Sequence, residues 1–364
     1  MNEKYKIPSD LTSKILTVGP DYRNHRGGVG AVIEVYSHYF ERFNFIPSYK
    51  PGSGLYKVAV FILGLIKISY TLLTNREIAI IHIHGASYGS FYRKYIIFII
   101  GKYVFRKKII YHIHGGGFQI FYNKANPLSK RLIKKFLSQS DIVICVSQSW
   151  YVYFKQNFKF KVLGVLPNII DYPTILEKTS KMDYITFLFL GLICDEKGIF
   201  DLLKVIDKNQ EQYRGKIKLL IGGNGETHRL LDLIEKQQIN DIVQFLGWIT
   251  KEEKIDALNK ADMYILPSYN EGLPISILEA MSYGSAIIST NVGGIPEIVR
   301  NKENGLIIEP GNLDQLEQSL CFFLEHPEVI KEYGTISQKL VLDFLPDSVM
   351  GKLSDIYKTV LMNE

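Results

Sequence analysis

Short runs of β-branched and apolar residues alternate with helix-length segments along the whole chain, and that alternation leaves few folds open. In the first half KILTVG (14–19), IAIIHIH (78–84), KIIYHIH (108–114), DIVICVS (141–147) and KVLGVLPN (161–168) read as strands. Helices are expected between them near 29–42, 56–74, 90–105 and 127–139. A second series follows: ITFLFLG (185–191), KIKLLIGG (216–223), IVQFLG (242–247), DMYILPS (262–268), SAIIST (285–290) and GLIIEP (305–310). A chain of 364 residues exceeds the usual size of one core. The reading is therefore α/β, with two Rossmann-like doubly wound domains whose ligands sit at the carboxyl ends of their strands, in the cleft between them. The polar stretch ILEKTSKMD (175–183), after Pro167 and Pro173, reads as the linker. Boundaries are expected at 1–170 and 171–340, followed by a last helix within 341–364.

Charge divides the chain the same way. Residues 1–170 carry 24 Lys+Arg against 7 Asp+Glu, a net of +17, whereas residues 171–364 carry 19 against 30, a net of −11. Such a split points the first half at an anionic partner. No zinc knuckle, helix-turn-helix signature or Arg-rich arm supports nucleic acid, so an anionic membrane surface or a phosphorylated lipid is the expected partner. SFYRKYIIFIIGKYVFRKK (90–108) mixes apolar and basic residues as interfacial helices do, and as a buried helix with a basic edge also does. The apolar runs VAVFILGLI (58–66) and YIIFII (95–100) read as too short to span a bilayer. Cys145, Cys194 and Cys321 lack metal spacing and read as reduced thiols, and MNEKYKIPSDLTSK lacks the apolar core of a signal peptide. The expected location is cytoplasmic, with peripheral attachment to the inner face of the cytoplasmic membrane.

The stretch IIYHIHGGGF (109–118) admits three chemistries. His-Gly-Gly-Gly resembles the oxyanion loop of lipase-like hydrolases, and GASYG (85–89) supplies a G-x-S-x-G around Ser87. The order is reversed, however, because the loop precedes the serine in those hydrolases. His82 and His84 with His112 and His114 place an HxH pair on each of two strands, but a metal site needs further ligands, and the first half is poor in acids. No DxD occurs in the chain, so no carboxylate pair for Mg²⁺ or Mn²⁺ is evident, and no metal is expected. A glycine turn after a strand also lets a sugar or phosphate approach the backbone.

The second half favours that last chemistry. YNEGLPISILEAM (269–281) holds Glu271 in a loop and Glu279, with seven residues between them, on a helix that Pro274 is placed to start. Helix-start N–H groups suit a phosphate or the polar edge of a sugar, and an acid beside them suits hydroxyls. Taken alone, Glu279 also reads as a solvated helix residue.

This stretch resembles the E-x7-E signature of the group 1 (family 4) glycosyltransferases, which are retaining enzymes of the GT-B fold. GGVG (27–30), FLGLICDEKGIFDLLKVI (189–206), IGGNGE (221–226) and FLGWI (245–249) resemble further landmarks of that family in the same order. The resemblance implies that Glu279 holds the donor ribose, Glu271 contacts the transferred sugar and Lys197 neutralises the diphosphate. It also implies that Gly28 and Gly30 present backbone to that diphosphate and that His114 lies beside the reacting sugar. Gly272, Leu273, Pro274 and Ile275 would form the loop and helix start at the donor, and Ile249 would lie near its base. Many relatives carry an arginine where this chain has Leu192, so a second cation would come from Arg23, Arg26 or backbone.

The implied reaction moves a sugar from a nucleotide-diphosphate sugar to a hydroxyl of a glycan or lipid-diphosphate-linked acceptor. Surface polysaccharide synthesis is the expected setting, and no cofactor or metal is expected. Glu271 is the nearby nucleophile candidate but stands on the hydroxyl-binding side, which favours same-face attack. A GT-B-related epimerase or a non-catalytic assembly protein are the alternatives. GGVGAV lacks the third glycine of a dinucleotide oxidoreductase.

Overall fold

The computed structural model describes residues 6–23, 27–175 and 183–362. Most of the expected linker, 176–182, and Arg26 lie outside the described residues. The chain forms two compact units. One takes in residues through Asp171 together with those from Phe344 onward, and the other spans Tyr172–Asp343.

The first unit holds a six-stranded sheet of β1 (Ile15–Pro20), β2 (Asn44–Tyr49), β3 (Ile80–Gly85), β4 (Lys108–Ile113), β5 (Ile142–Cys145) and β6 (Leu163–Val165). Its order is β2-β1-β3-β4-β5-β6, all parallel. Isoleucine-rich β3 and β4 are covered on both faces and fully buried but for Lys108, as crossover helices require. β2 has no counterpart among the expected strands. Its sequence NFIPSY contains a proline, which the ladder tolerates because β2 is an edge strand. The expected helix 90–105 divides into Gly89–Ile99 and a π turn, Ile100–Val104, where Gly101 packs under Ile81 and Ile109. The helix Pro346–Met362 belongs to this unit and buries Tyr357 against the sheet, with its hydroxyl 2.6 Å from His82 Nδ1.

The second unit holds β7 (Ile185–Ile193), β8 (Ile217–Gly225), β9 (Val243–Gly247), β10 (Met263–Leu266), β11 (Ala286–Thr290) and β12 (Gly305–Ile308), in the order β12-β11-β10-β7-β8-β9. These strands are also parallel. The order reverses between β7 and β10. Two loops leave the sheet there in opposite senses, and a crevice opens at the carboxyl ends. In the first unit the same reversal falls between β1 and β3.

Candidate functional site

Both loops at the β7–β10 reversal carry residues singled out in the sequence. After β7 comes a 3-10 turn, Asp195–Lys197, closed by Gly198 at φ +69°. A side chain at Gly198 would strike the carbonyl of Pro267, so only glycine lets this turn lie against the end of β10. The turn is tied down there. Tyr269 donates its backbone N–H to the Glu196 carbonyl at 2.9 Å, and the Ser268 hydroxyl donates to the same oxygen at 3.1 Å. The result is an ion pair, with Lys197 Nζ 2.5 Å from Glu271 Oε1. Lysine retains 26% and glutamate 10% of side-chain exposure, so the pair is held in place yet reachable from solvent.

The backbone of Glu271 is fixed from the other side by a loop that sequence reasoning missed. Gly294 donates its N–H to the Gly272 carbonyl at 2.7 Å, and a side chain on Gly293 (φ +53°) would collide with the Glu271 carbonyl. NVGG (291–294) directly after β11 was the available signal. Gly272, Leu273 and Pro274 are buried beside it. Pro274, expected in the first turn of the following helix, is its cap, with ψ 118°, and the helix runs Ile275–Ser282. Its first N–H groups follow directly on the Glu271 loop.

Glu279 lies on that helix, half-buried, with Oε1 2.6 Å from Lys254 Nζ. Lys254, which sequence reasoning missed, comes from the helix Lys251–Lys260 after β9, started by a Thr250–Glu253 capping box. Glu279 and Glu271 share a neighbourhood. The buried Tyr264 phenol is pushed up first by burial and further by the charges of both carboxylates. Its hydroxyl donates to the Leu190 carbonyl at 2.9 Å, joining β10 to β7.

Further along the same edge, β8 ends in three glycines. A side chain on Gly223 would collide with the Gly191 carbonyl, and one on Gly225 would lie 2.5 Å from that of Ile193. Ile249 packs over Gly222, next to exposed Trp248, a second residue the sequence reading passed over. The strand order thus sets Glu271, Lys197, the glycine strand end and Ile249 in sequence along the edge, from β10 through β7 and β8 to β9. At ~4.8 Å per strand this row spans roughly 14 Å. Leu192, at the position where the resemblance leads one to expect arginine, is an exposed residue of β7 opposite Asn224. Arg229 is committed to Asp195 and Glu226, each at 2.9 Å.

The first unit places its candidates by itself. Gly28 opens the helix Gly28–Tyr39, the next helix in the chain after β1, and Gly30 is buried in its first turn. Arg23 pairs with Asp21 at 3.5 Å, and Lys50 pairs with the same carboxylate at 2.8 Å. His114 ends β4. Its Nδ1 donates to Asn168 Oδ1 at 2.8 Å, an assignment that leaves Nε2 to accept from His84 Nδ1 at 2.9 Å. Both ring nitrogens are thereby engaged within the unit, and neither goes to Ser87. For a ring nitrogen of His114 to reach a sugar, one of these bonds must open.

His82, His84 and His112 bring nitrogens within 4.8 Å of one another. Their rings stack, His82 on His84 with centroids 4.2 Å apart and on His112 at 5.5 Å. Burial depresses these three imidazoles and that of His114, His82 to about 3 and His114 to about 4. The group includes no carboxylate to balance a cation, and a fully buried charge without a partner is costly. The arrangement fits a stack of neutral rings.

Comparison with solved structures defines the class. Sucrose-phosphate synthase from Thermosynechococcus elongatus superposes with a TM-score of 0.80 over 96% of this chain and 100% of that one, at 17% identity. Anabaena HepE, solved in complex with UDP, gives 0.75 over 95% and 100% at 16% identity. The fold is GT-B. Residues 172–339 match the glycosyl transferases group 1, and residues 31–172 match glycosyltransferase family 4. The chain belongs to the group 1 (family 4) glycosyltransferases. Among curated relatives, an uncharacterized glycosyltransferase of Haemophilus influenzae is 28% identical over 51% of this chain. One component of the human phosphatidylinositol N-acetylglucosaminyltransferase is 30% identical over 57%, and N-acetyl-alpha-D-glucosaminyl L-malate synthase of Bacillus anthracis 26% over 66%. The matches cover 53%, 43% and 65% of those relatives' own lengths.

Proposed function

We propose that the protein transfers a sugar from a nucleoside-diphosphate sugar to a hydroxyl of a glycan or lipid-diphosphate-linked acceptor, with retained anomeric configuration. One observation carries this reading: the Lys197–Glu271 pair at the strand-order reversal of the second unit. A cation and a hydroxyl-binding carboxylate set side by side match the two chemistries that meet in a sugar diphosphate. The glycine strand end and Ile249 continue the row at a length suited to the rest of the nucleotide. HepE solved with UDP and with UDP-glucose supports the donor class, and TarM solved with fondaparinux, alpha-GlcNAc-glycerol and UDP supports a glycan acceptor.

In the proposed reaction the bond from the anomeric carbon to the diphosphate oxygen breaks. The acceptor oxygen bonds to that carbon from the same face, and its proton passes to an oxygen of the leaving phosphate. Charge growing on the diphosphate is met by Lys197 and by the N–H groups at the start of helix Ile275–Ser282, with no metal step. Glu271, released as Lys197 turns to the diphosphate, orients sugar hydroxyls rather than attacking carbon. Gly28, Gly30 and His114 remain proposed contributors from the first unit. Its positive charge suits a lipid-linked acceptor at the inner face of the cytoplasmic membrane, in surface polysaccharide synthesis.

The test is product analysis with UDP-, GDP-, ADP- and dTDP-sugars and a hydroxyl acceptor. Transfer from one donor with unchanged anomeric configuration is expected. Epimerised donor without transfer, or no turnover of any donor, would overturn the reading.

A further inference from the structure

The helix Gly54–Thr74 is built inside out for a soluble domain. Such helices normally bury an apolar stripe and present polar residues outward. Here Leu55, Val58, Ile62, Ile66, Tyr70 and Leu73 recur at helical spacing on the solvent side, and each is at least 50% exposed. The stripe runs for roughly 27 Å at 1.5 Å per residue. The 21-residue helix contains two lysines and no acid, and by length and composition it could cross a membrane. The sequence run 58–66 alone reads as too short for that; the helix extends well beyond it on both sides.

Its other face rules out a span. Gly64 lies so close to β2 that a side chain there would come within 2.8 Å of the Pro47 carbonyl. Ile68 and Leu72 are buried in the core, with Phe61 and Leu65 packed against it. A helix packed on a sheet along one side lies flat on whatever covers the other.

We propose that this helix is a membrane-insertion element, lying in the headgroup region of an anionic bilayer with its outer stripe below the phosphates. Charge selects the occupant. The half of the chain that carries the helix has a net charge of +17. A second copy docked on this face would bring like charge against like, whereas an anionic bilayer attracts it. The neighbouring surface agrees: Ile96, Tyr103 and Val104 are exposed on the segment whose Phe91 and Phe98 share a core with Ile68 and Leu72, and the Lys135 ammonium sits 5.1 Å from the Tyr103 ring. Apolar anchors with tyrosines and lysines at their rim are what interfacial helices present. By contrast, segment 90–108 buries Phe91, Lys94, Ile97 and Phe98 and supplies only part of that surface.

This inference rests on the membrane part of the proposed function and replaces simple electrostatic attachment with insertion. The experiment is co-sedimentation of the full chain with phosphatidylcholine vesicles, with and without phosphatidylglycerol, at low salt and at about 0.5 M NaCl. Wild type is compared with the double variant Ile62→Asp, Ile66→Asp, two exposed positions whose change leaves the core intact. Wild type is expected to bind the phosphatidylglycerol vesicles and to keep part of that binding at high salt. The variant is expected to lose about tenfold or more in partitioning, with its thermal shift by nucleotide unchanged. Equal partitioning of variant and wild type would overturn insertion and leave electrostatic attachment standing. Wild-type binding that high salt abolishes would do the same. Absence of binding to either vesicle would remove the membrane part of the function as well. A stripe that instead mediates a dimer would overturn insertion too, and would show by light scattering as a mass halved in the variant.

Discussion

Lys197 and Glu271 are separated by 74 positions in sequence, yet their ammonium and carboxylate lie 2.5 Å apart. The pairing follows from topology: β7 and β10 are neighbours where the strand order reverses, Gly198 lets the turn after β7 lie against the end of β10, and Gly293 lets the loop after β11 back the Glu271 carbonyl. Glu271 balances the lysine in this structure. In the proposed reaction a diphosphate would take over that role and leave the carboxylate to a hydroxyl.

Replacing Lys197 by Ala removes the cation proposed to meet the leaving diphosphate. Turnover should fall by on the order of 100-fold or more. The melting temperature should move little, since a part-exposed pair contributes about 1 kcal/mol or less. Steady-state rates beside a thermal melt check this; near-normal turnover would count against the assignment.

Gly293→Ala forces a side chain onto the Glu271 carbonyl at a positive φ. A cost of about 2 kcal/mol or more is expected, together with loss of activity. Gly164→Ala is the control, because its added carbon meets open space. Denaturant titrations of both variants should separate them clearly.

Acid should weaken the first unit. Burial holds His82 at about 3 and His114 at about 4 in the folded chain, against 6.5 for a free imidazole. Unfolding therefore takes up protons between those values and 6.5, so the stability is present above 6.5 and is lost as pH falls. Near pH 5.5 each such group costs about 1.4 kcal/mol. Denaturation midpoints that stay level from about pH 7.5 to 5.5 would contradict neutral burial.

Lys254→Met frees Glu279 from its partner at 2.6 Å. If that carboxylate binds ribose hydroxyls, the lysine acts as a positioning residue, and its loss should weaken nucleotide binding by about threefold to tenfold. Glu279→Ala should weaken it further, while Lys254→Arg should restore most of it. Calorimetric affinities for the three variants decide the matter, and a lysine with a structural role alone would leave the Lys254→Met affinity equal to wild type.

Much of this was legible in the sequence because parallel sheets write themselves as apolar runs: ITFLFLG and IAIIHIH point to β7 and β3 directly. β2 was not legible, since an edge strand needs neither a continuous apolar run nor freedom from proline. Lys197, Glu271 and Glu279 could be picked out one at a time, but neither the pairing of the first two nor the partner of the third could. Lys254 sits in KEEK, where it looks like any solvated lysine, and only tertiary packing turns it toward Glu279. His114 was legible as a strand-end residue, whereas its capture by His84 and Asn168 depends on β3–β4 register and a loop 54 residues away. The outward stripe of helix Gly54–Thr74 was hidden as well, because an apolar helix of a buried layer has the same letters.

The most direct measurement is calorimetric titration of the purified chain with UDP, GDP, ADP and dTDP, repeated with Lys197→Ala. One nucleoside diphosphate should bind, and the variant should bind it about tenfold or more weakly. Failure of all four to bind, or equal affinity in the variant, would contradict a diphosphate site at the Lys197–Glu271 edge.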